Sequence, residues 1–359
     1  MQKLSANEVL ILNRRCVKHP EKGGAEIYTY HLAKTLIEKG ISVEWFCCRV
    51  KGLKPEEEIE NIKFIRKGSE LTTHFWGFLY AIKKKKCLII DEFNGIGFFT
   101  FFRKNSIILI HQLYDNFWTS QLGIFGYPFK LLEKIFLFLY RKKPAITVSQ
   151  STYNDLEKIG FKDIKIIHNG LEIEAVSFDV KKDPNLTLIY LGRLKKTKNP
   201  EDAIKAFFIV KEHIYESKLI IIGEGPLFSA LKSKYENIDG IKFTGYIDDL
   251  KKLEILKKAH FLLVPSIREG WGQVVIQANA MGTPAIGYNV SGLRDSIIDG
   301  KTGFLVKDYK EMAEFVIKLW QDKSLYQELI NNSIRWAKNF SWERTKRDFI
   351  DYLKERQLI

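Results

Sequence analysis

Glu269 lies in the run Pro265-Ser266-Ile267-Arg268-Glu269-Gly270-Trp271-Gly272-Gln273, directly after an apolar stretch and at the start of an amphipathic one. Glycines there let the backbone approach a ligand closely, and the free N–H groups of a starting helix favour a phosphate. A carboxylate beside a phosphate would repel it. Glu269 is therefore expected to accept hydrogen bonds from neutral hydroxyls such as those of a sugar. In isolation the same residues would also suit a plain strand-loop-helix turn with a surface glutamate.

The run Gly192-Arg193-Leu194-Lys195-Lys196-Thr197-Lys198 adds cations at the end of another apolar stretch. Arg193 can grip a pyrophosphate with two parallel bonds and Lys198 can add a point charge, while Lys195 and Lys196 read as a solvated face. Gly223-Glu224-Gly225-Pro226 is not a dinucleotide fingerprint, because Phe228 occupies the last glycine site, so nicotinamide redox chemistry is unsupported. Earlier in the chain, Glu21-Lys22-Gly23-Gly24-Ala25-Glu26 bridges a strand and a helix, and the paired glycines suit approach to an anion or acceptor. His111 ends an apolar run and should point to the ligand side of a sheet. The other histidines (19, 31, 74, 168, 213 and 260) show no metal-ligand spacing, and no metal or cofactor is expected.

These residues need a scaffold that puts strand ends together. Short Val/Ile-rich runs alternate with amphipathic stretches, the pattern of parallel sheets covered by helices. Strands are expected at 8–12, 42–47, 87–90, 106–110, 145–148 and 165–167, with helices at 25–39, 127–141 and 151–159. After a charged, aperiodic linker at 175–185, a second series places strands at 186–190, 218–222, 241–244, 261–264 and 284–288. Helices follow near 200–210, 226–234, 250–259, 273–281, 310–321 and 324–340, and 341–358 closes the chain as an amphipathic helix. The expected fold class is α/β: two doubly wound, Rossmann-like parallel sheets facing a cleft. The expected domains are 1–178 and 179–340, followed by a closing helix at 341–359.

The bulk properties agree with that picture. The chain has 359 residues, 45% apolar and 28% charged, enough for two folded domains. Its net charge of +14 divides as +8 up to Ala175 and +6 beyond, so no basic tail carries it. Such a field favours anionic partners without choosing among them. Four cysteines (16, 47, 48 and 87) fit reduced buried thiols better than disulfides. The polar start MQKLSANEVLILN does not read as a signal peptide, and no apolar run reaches the ~18 to 20 residues of a membrane span. A cytoplasmic location follows, extended to the inner face of the cell membrane by one segment. Residues 127–143 mix Phe129, Leu132, Ile135, Phe136, Phe138, Leu139 and Tyr140 with Lys130, Lys134, Arg141, Lys142 and Lys143. Such a helix suits an anionic membrane, or, since its apolar run 135–140 would face all sides, an ordinary core.

Together the motifs resemble the retaining nucleotide-sugar glycosyltransferases of the GT-B type, family 4. The resemblance covers nearly the whole chain: LNRRCVKHPEKGGAE, ITVSQSTYNDLEKIGF, IKIIHNGLE, LIYLGRLKKTKNPEDAIKAF, LIIIGEGP, IKFTGYIDD and VPSIREGWGQVVIQANAMGTPAIGYNVSGLRDSIIDGKTGFLV. It implies that Arg193 and Lys198 hold the donor diphosphate, with Gly192 beside them, and that Tyr246 and Ile247 meet the base. Glu269 would bond sugar hydroxyls, the segment Gly270, Trp271, Gly272 and Gln273 would cap a phosphate, and His111 would lie beside the transferred sugar. Gly23, Gly24, Glu26 and Glu92 would form the acceptor or phosphate loop, with 91–94 and 114–118 bordering the acceptor. Where the family carries a second glutamate against the donor ribose, this chain has Gln277, which weakens that contact. Asn199 stands where a glycine is common, and the resemblance implies that the closing helix 341–358 crosses back onto the first domain.

The implied reaction is retaining transfer to a hydroxyl of a glycan or lipid-linked acceptor, with the leaving diphosphate taking the acceptor proton and no metal. Two rivals differ in class. A donor-binding partner subunit with weak catalysis is suggested by Gln277, and a nucleic-acid-binding protein by the charge. The even charge split and the lack of a recognition motif argue against nucleic acid.

Overall fold

A computed structural model describes residues 7–359, apart from the side chains at 116, 120 and 121; the polar start of the chain, 1–6, lies outside the described residues. The chain folds as two units, Met1–Gly170 with Trp342–Ile359, and Leu171–Ser341. The segment 171–178, expected with the first domain, goes with the second unit, where the Val176 N–H donates to the Ala280 carbonyl at 2.9 Å.

In the first unit the elements run β1 (Glu8–Leu12), α1 (Gly24–Glu38), β2 (Ser42–Cys47), β3 (Glu56–Ile59), β4 (Ile62–Arg66), α2 (Thr73–Lys83), β5 (Leu88–Glu92), β6 (Ser106–Ile110), α3 (Asn116–Leu122), α4 (Gly126–Tyr140), β7 (Ala145–Thr147), α5 (Gln150–Ile159) and β8 (Ile164–Ile166). The sheet order is β3-β4-β2-β1-β5-β6-β7-β8, parallel except for the edge strand β3. That edge was not expected, because Glu56-Glu57-Glu58 reads as a solvated run. A two-residue turn makes it: Glu60 and Asn61 both adopt positive φ, at 48° and 63°, the geometry that joins twisted antiparallel strands.

The second unit runs β9 (Thr187–Leu191), α6 (Pro200–His213), β10 (Lys218–Ile222), α7 (Phe228–Tyr235), β11 (Ile241–Gly245), α8 (Asp249–Lys258), β12 (Phe261–Val264), α9 (Gln273–Ala280), β13 (Ala285–Tyr288), α10 (Leu293–Ser296), β14 (Gly303–Val306), α11 (Tyr309–Gln321) and α12 (Lys323–Ala337). Its sheet order is β11-β10-β9-β12-β13-β14, all parallel. The strands are buried on both faces, which is why they read as continuous apolar runs. Leu188, Leu219, Phe261, Leu263 and Ile286 fill one face under α6, α11 and α12.

Each sheet reverses its strand order once. β1 pairs with both β2 and β5, and β9 with both β10 and β12. Loops leaving the carboxyl ends of strands at such a reversal diverge and leave room for a ligand. The loops after β1, β9 and β12 carry the candidate residues.

The last helix, α13 (Trp342–Glu355), belongs to the first unit. Trp342 stacks on His31 of α1 with ring centroids 3.7 Å apart, and Lys346 pairs with Glu38 at 2.9 Å.

Candidate active site

In the second unit the loop after β9 is built on backbone contacts with the loop after β10. Leu194 N–H donates to the Glu224 carbonyl at 2.9 Å and Gly192 N–H to Ile222 at 3.0 Å. Gly223, at φ +128°, allows this: a Cβ there would stand 2.2 Å from the Gly192 carbonyl oxygen. Glu224 also accepts from Tyr246 N–H at 3.3 Å, so one residue seats both the Arg193 loop and the Tyr246 turn. Sequence reading passed over Glu224, although the Gly-x-Gly around it marks the close approach.

Further along, Ile267 N–H donates to the Thr197 carbonyl at 3.1 Å, joining the loops after β9 and β12. Across that junction the Lys198 ammonium pairs with the Glu269 carboxylate, which also accepts from the Ser266 hydroxyl at 2.8 Å. Glu269 is largely buried and Lys198 partly so. Lys198 thereby answers the repulsion that a carboxylate would exert on a nearby phosphate. Arg193 is partly buried in the same loop, its carbonyl accepting from the Tyr190 hydroxyl at 3.3 Å, while Lys195 and Lys196 are exposed. Asn199 takes the left-handed backbone that a glycine would favour, at φ 47°, and its amide donates to Asp202 at 2.5 Å. Asparagine is the side chain that best tolerates this conformation.

Gly272, at φ +78°, is the N-cap of α9, and no side chain caps it. The Val275 N–H donates back to the Gly272 carbonyl at 2.8 Å, closing the first turn of α9. Gly270 and Gln273 are partly exposed there, and Gln277 lies one turn on, also partly exposed, on the same face as Gln273. Trp271 is 5% exposed and packs edge-on against Phe340 at 5.0 Å, so its indole anchors the loop from behind and only its backbone stands at the start of α9. Tyr246 is 78% exposed and Ile247 half-buried, leaving the turn after β11 open.

In the first unit Gly23 caps α1 and Gly24 is exposed; the Gly23 N–H donates to Glu26 at 2.7 Å. Glu92 is a correction. It is fully buried, accepting from the Asn13 amide at 2.5 Å and from the Thr29 hydroxyl, and so clamps β1, β5 and α1 together. Burial, then the charges of Glu26 and Asp91, push its carboxyl well above the usual range. Asp91 is likewise buried, taking bonds from Phe98 N–H, the Thr100 hydroxyl and the Tyr140 hydroxyl, and Phe93 is core. Of 91–94, only Asn94 retains exposure.

His111 leaves β6 with its ring against the edge of Tyr28, centroids 5.3 Å apart. Burial pushes it down to about 4, so it is neutral at pH 7, and its Nε2 has no hydrogen-bond partner among the described residues. An unpaired buried ring nitrogen at the carboxyl edge of a sheet is kept for a ligand more readily than for packing. Among the described residues no group of three or more His, Cys, Asp or Glu is placed to hold a metal ion.

The model for "Glycosyltransferase Family 4" matches residues 22–175 and that for "Glycosyl transferases group 1" matches 173–336. This chain belongs to the family 4 glycosyltransferases. Its relatives include the capsular polysaccharide biosynthesis glycosyltransferase CapM of Staphylococcus aureus, 29% identical over 63% of this chain and 66% of CapM. N-acetyl-alpha-D-glucosaminyl L-malate synthase of Bacillus anthracis is 28% identical over 55% of this chain and 56% of that enzyme. The glycosyltransferase thus aligns with somewhat more than half the length of these relatives. Its fold matches sucrose-phosphate synthase from Thermosynechococcus elongatus with a TM-score of 0.77 at 20% identity, covering 97% and 98% of the two chains. Anabaena HepE, solved in complex with UDP-glucose, matches with 0.70 at 15% identity over 97% and 99%. The fold is therefore GT-B.

Proposed function

We propose that this glycosyltransferase moves a sugar from a nucleotide diphosphate sugar to a hydroxyl acceptor, with retention of configuration, in glycan or glycolipid assembly. The observation that carries the reading is the junction of the loops after β9 and β12. There the Lys198–Glu269 pair and the Ile267–Thr197 backbone bond join the loop that carries Arg193 to the loop that leads into α9. Cations and amides at that place suit a departing diphosphate, the electrostatic contribution that usually dominates such catalysis. As the C–O bond to the diphosphate breaks, its oxygen takes the acceptor hydroxyl proton on the same face, and the acceptor oxygen bonds to the anomeric carbon. Glu269 would accept from sugar hydroxyls, Tyr246 and Ile247 would border the base, Gln277 the ribose, and neutral His111 would donate or accept beside the sugar. HepE's complex with UDP-glucose supports a donor of that class.

The acceptor is lipid-linked on this reading, and α4 supports it. Its buried stripe is Glu133, Phe136, Leu137 and Tyr140. Tyr127, Phe129, Leu131, Ile135 and Phe138 are 47–63% exposed, as is Phe125 just before it at 78%. A core helix would bury those side chains. With Lys134 and Lys142 exposed nearby, the face complements an anionic bilayer, while no described helix is long and apolar enough to cross one. Four buried, unpaired cysteines support a cytoplasmic site of action at the membrane's inner face.

The test is a screen of nucleotide diphosphate sugars for hydrolysis and transfer, with and without chelator. Transfer that survives chelation is expected. Donor binding without hydrolysis or transfer would instead identify a partner subunit.

A further inference from the structure

Glu133 is the carboxylate that α4 turns inward, 2% exposed. Its Oε1 accepts from Tyr114 N–H at 2.7 Å, and its Oε2 from Asp115 N–H at 2.8 Å and from the Trp118 indole N–H at 3.0 Å. Two successive backbone N–H groups aimed at one point make an anion seat. Here a side chain of another helix fills it. Packing alone would be served by an apolar residue, as at Phe136 and Leu137 on the same stripe.

The loop so held is tightly determined. Asp115 sits at φ +37°, a backbone that a non-glycine residue adopts only under constraint. A Cβ on Gly95 would stand 2.7 Å from the Trp118 ring, and one on Gly126 2.2 Å from the Trp118 carbonyl oxygen. Trp118 stacks on Phe129 of α4 at 5.4 Å, and Lys130 pairs with Asp115 at 3.1 Å. The loop therefore takes its shape from α4, and it begins at His111.

We propose that Glu133 is a positioning residue through which α4 sets loop 112–118 for the acceptor, so that acceptor use depends on it and donor use does not. This rests on the acceptor-side reading of that loop given above.

Glu133→Gln keeps the size but replaces one accepting oxygen with a donor, and Glu133→Asp keeps the charge. For Glu133→Gln, hydrogen exchange at Tyr114 and Asp115 should speed at least tenfold while exchange in β6 is unchanged. In the holoenzyme assay acceptor KM should rise about tenfold, with donor KM and acceptor-free donor hydrolysis within twofold of the parent, and Glu133→Asp should fall between. If Glu133→Gln does not fold, Glu133→Asp, which keeps the charge but shortens the reach to Tyr114 and Asp115, carries the same split in milder form. Unchanged exchange and acceptor KM would overturn the proposal, as would donor hydrolysis falling in parallel with transfer. A parent protein without any donor turnover would sink the reaction assignment, whereas the exchange result judges Glu133 by itself.

Discussion

The Lys198 ammonium lies against the Glu269 carboxylate, so the loops after β9 and β12 are joined by a charge pair as well as by the Ile267–Thr197 backbone bond. Each residue alone would disturb the site: a lone glutamate repels diphosphate, and a lone lysine stands partly buried without its counter-charge.

Removing Lys198 should therefore cost more than one phosphate contact. Lys198→Ala is expected to weaken nucleoside diphosphate binding by roughly 1.5 to 3 kcal/mol, and Arg193→Ala by a similar amount, whereas Lys195→Ala does neither. Adding Glu269→Gln to Lys198→Ala should restore part of the loss in binding, though not in transfer. Calorimetric titration of the four variants measures this, and additive losses would show that the pair is not coupled at the donor.

Gln277 follows Gln273 on the exposed face of α9. If it meets the ribose, Gln277→Glu should tighten a ribonucleotide donor and lose more affinity than the parent when the ribose is replaced by deoxyribose. Equal ribose-to-deoxyribose ratios in both proteins would remove Gln277 from the donor site.

Charge and apolar exposure on α4 should act together on a membrane. Sedimentation with vesicles containing anionic phospholipid is expected, weakening at high salt and again in Lys142→Gln/Lys143→Gln, and Phe125→Ser/Phe138→Ser should abolish it. Retention of binding in the serine variant would place the contact elsewhere; no binding by the parent at low salt would favour a soluble acceptor.

His74, His111 and His260 are each pushed by burial from 6.5 down to about 4. Between those values the unfolded chain binds protons on these rings that the native chain does not, so the rings contribute stability that rises with pH and is lost as pH drops from 6.5 toward 4, while the raised Glu92 carboxyl contributes with the opposite sign. One such group is worth up to about 3 kcal/mol. Urea unfolding at pH 7, 5.5 and 4.5 should show that loss, and His111→Gln should reduce its slope. Flat stability over the window would mean these rings are hydrated in solution.

Much of the molecule is written in local pattern. Continuous apolar runs announced the buried parallel strands, and glycine with charge at their carboxyl ends singled out Arg193, Lys198 and Glu269, of which the fold pairs Lys198 with Glu269. Asn199 also followed from its own chemistry, since a left-handed turn suits an asparagine. The edge strand β3 escaped because its glutamates carry no apolar alternation, and only pairing with β4 gives it a place in the sheet.

What the tertiary structure decided is which face of each residue another part of the chain covers. Glu92 looked like a ligand-facing carboxylate at a strand end, but Asn13 and Thr29 close over it from β1 and α1. Trp271, in the glycine-rich loop, turns back onto Phe340, nearly seventy positions away in sequence. The aromatics of α4 could have filled a core; only one stripe of that helix is buried, and Glu133 within it finds two donors in the loop before α3 and a third, Trp118, in α3 itself. Strand and helix periods repeat over a few residues and can be read in order along the chain. Burial depends on contacts between positions that the order of the chain does not bring together.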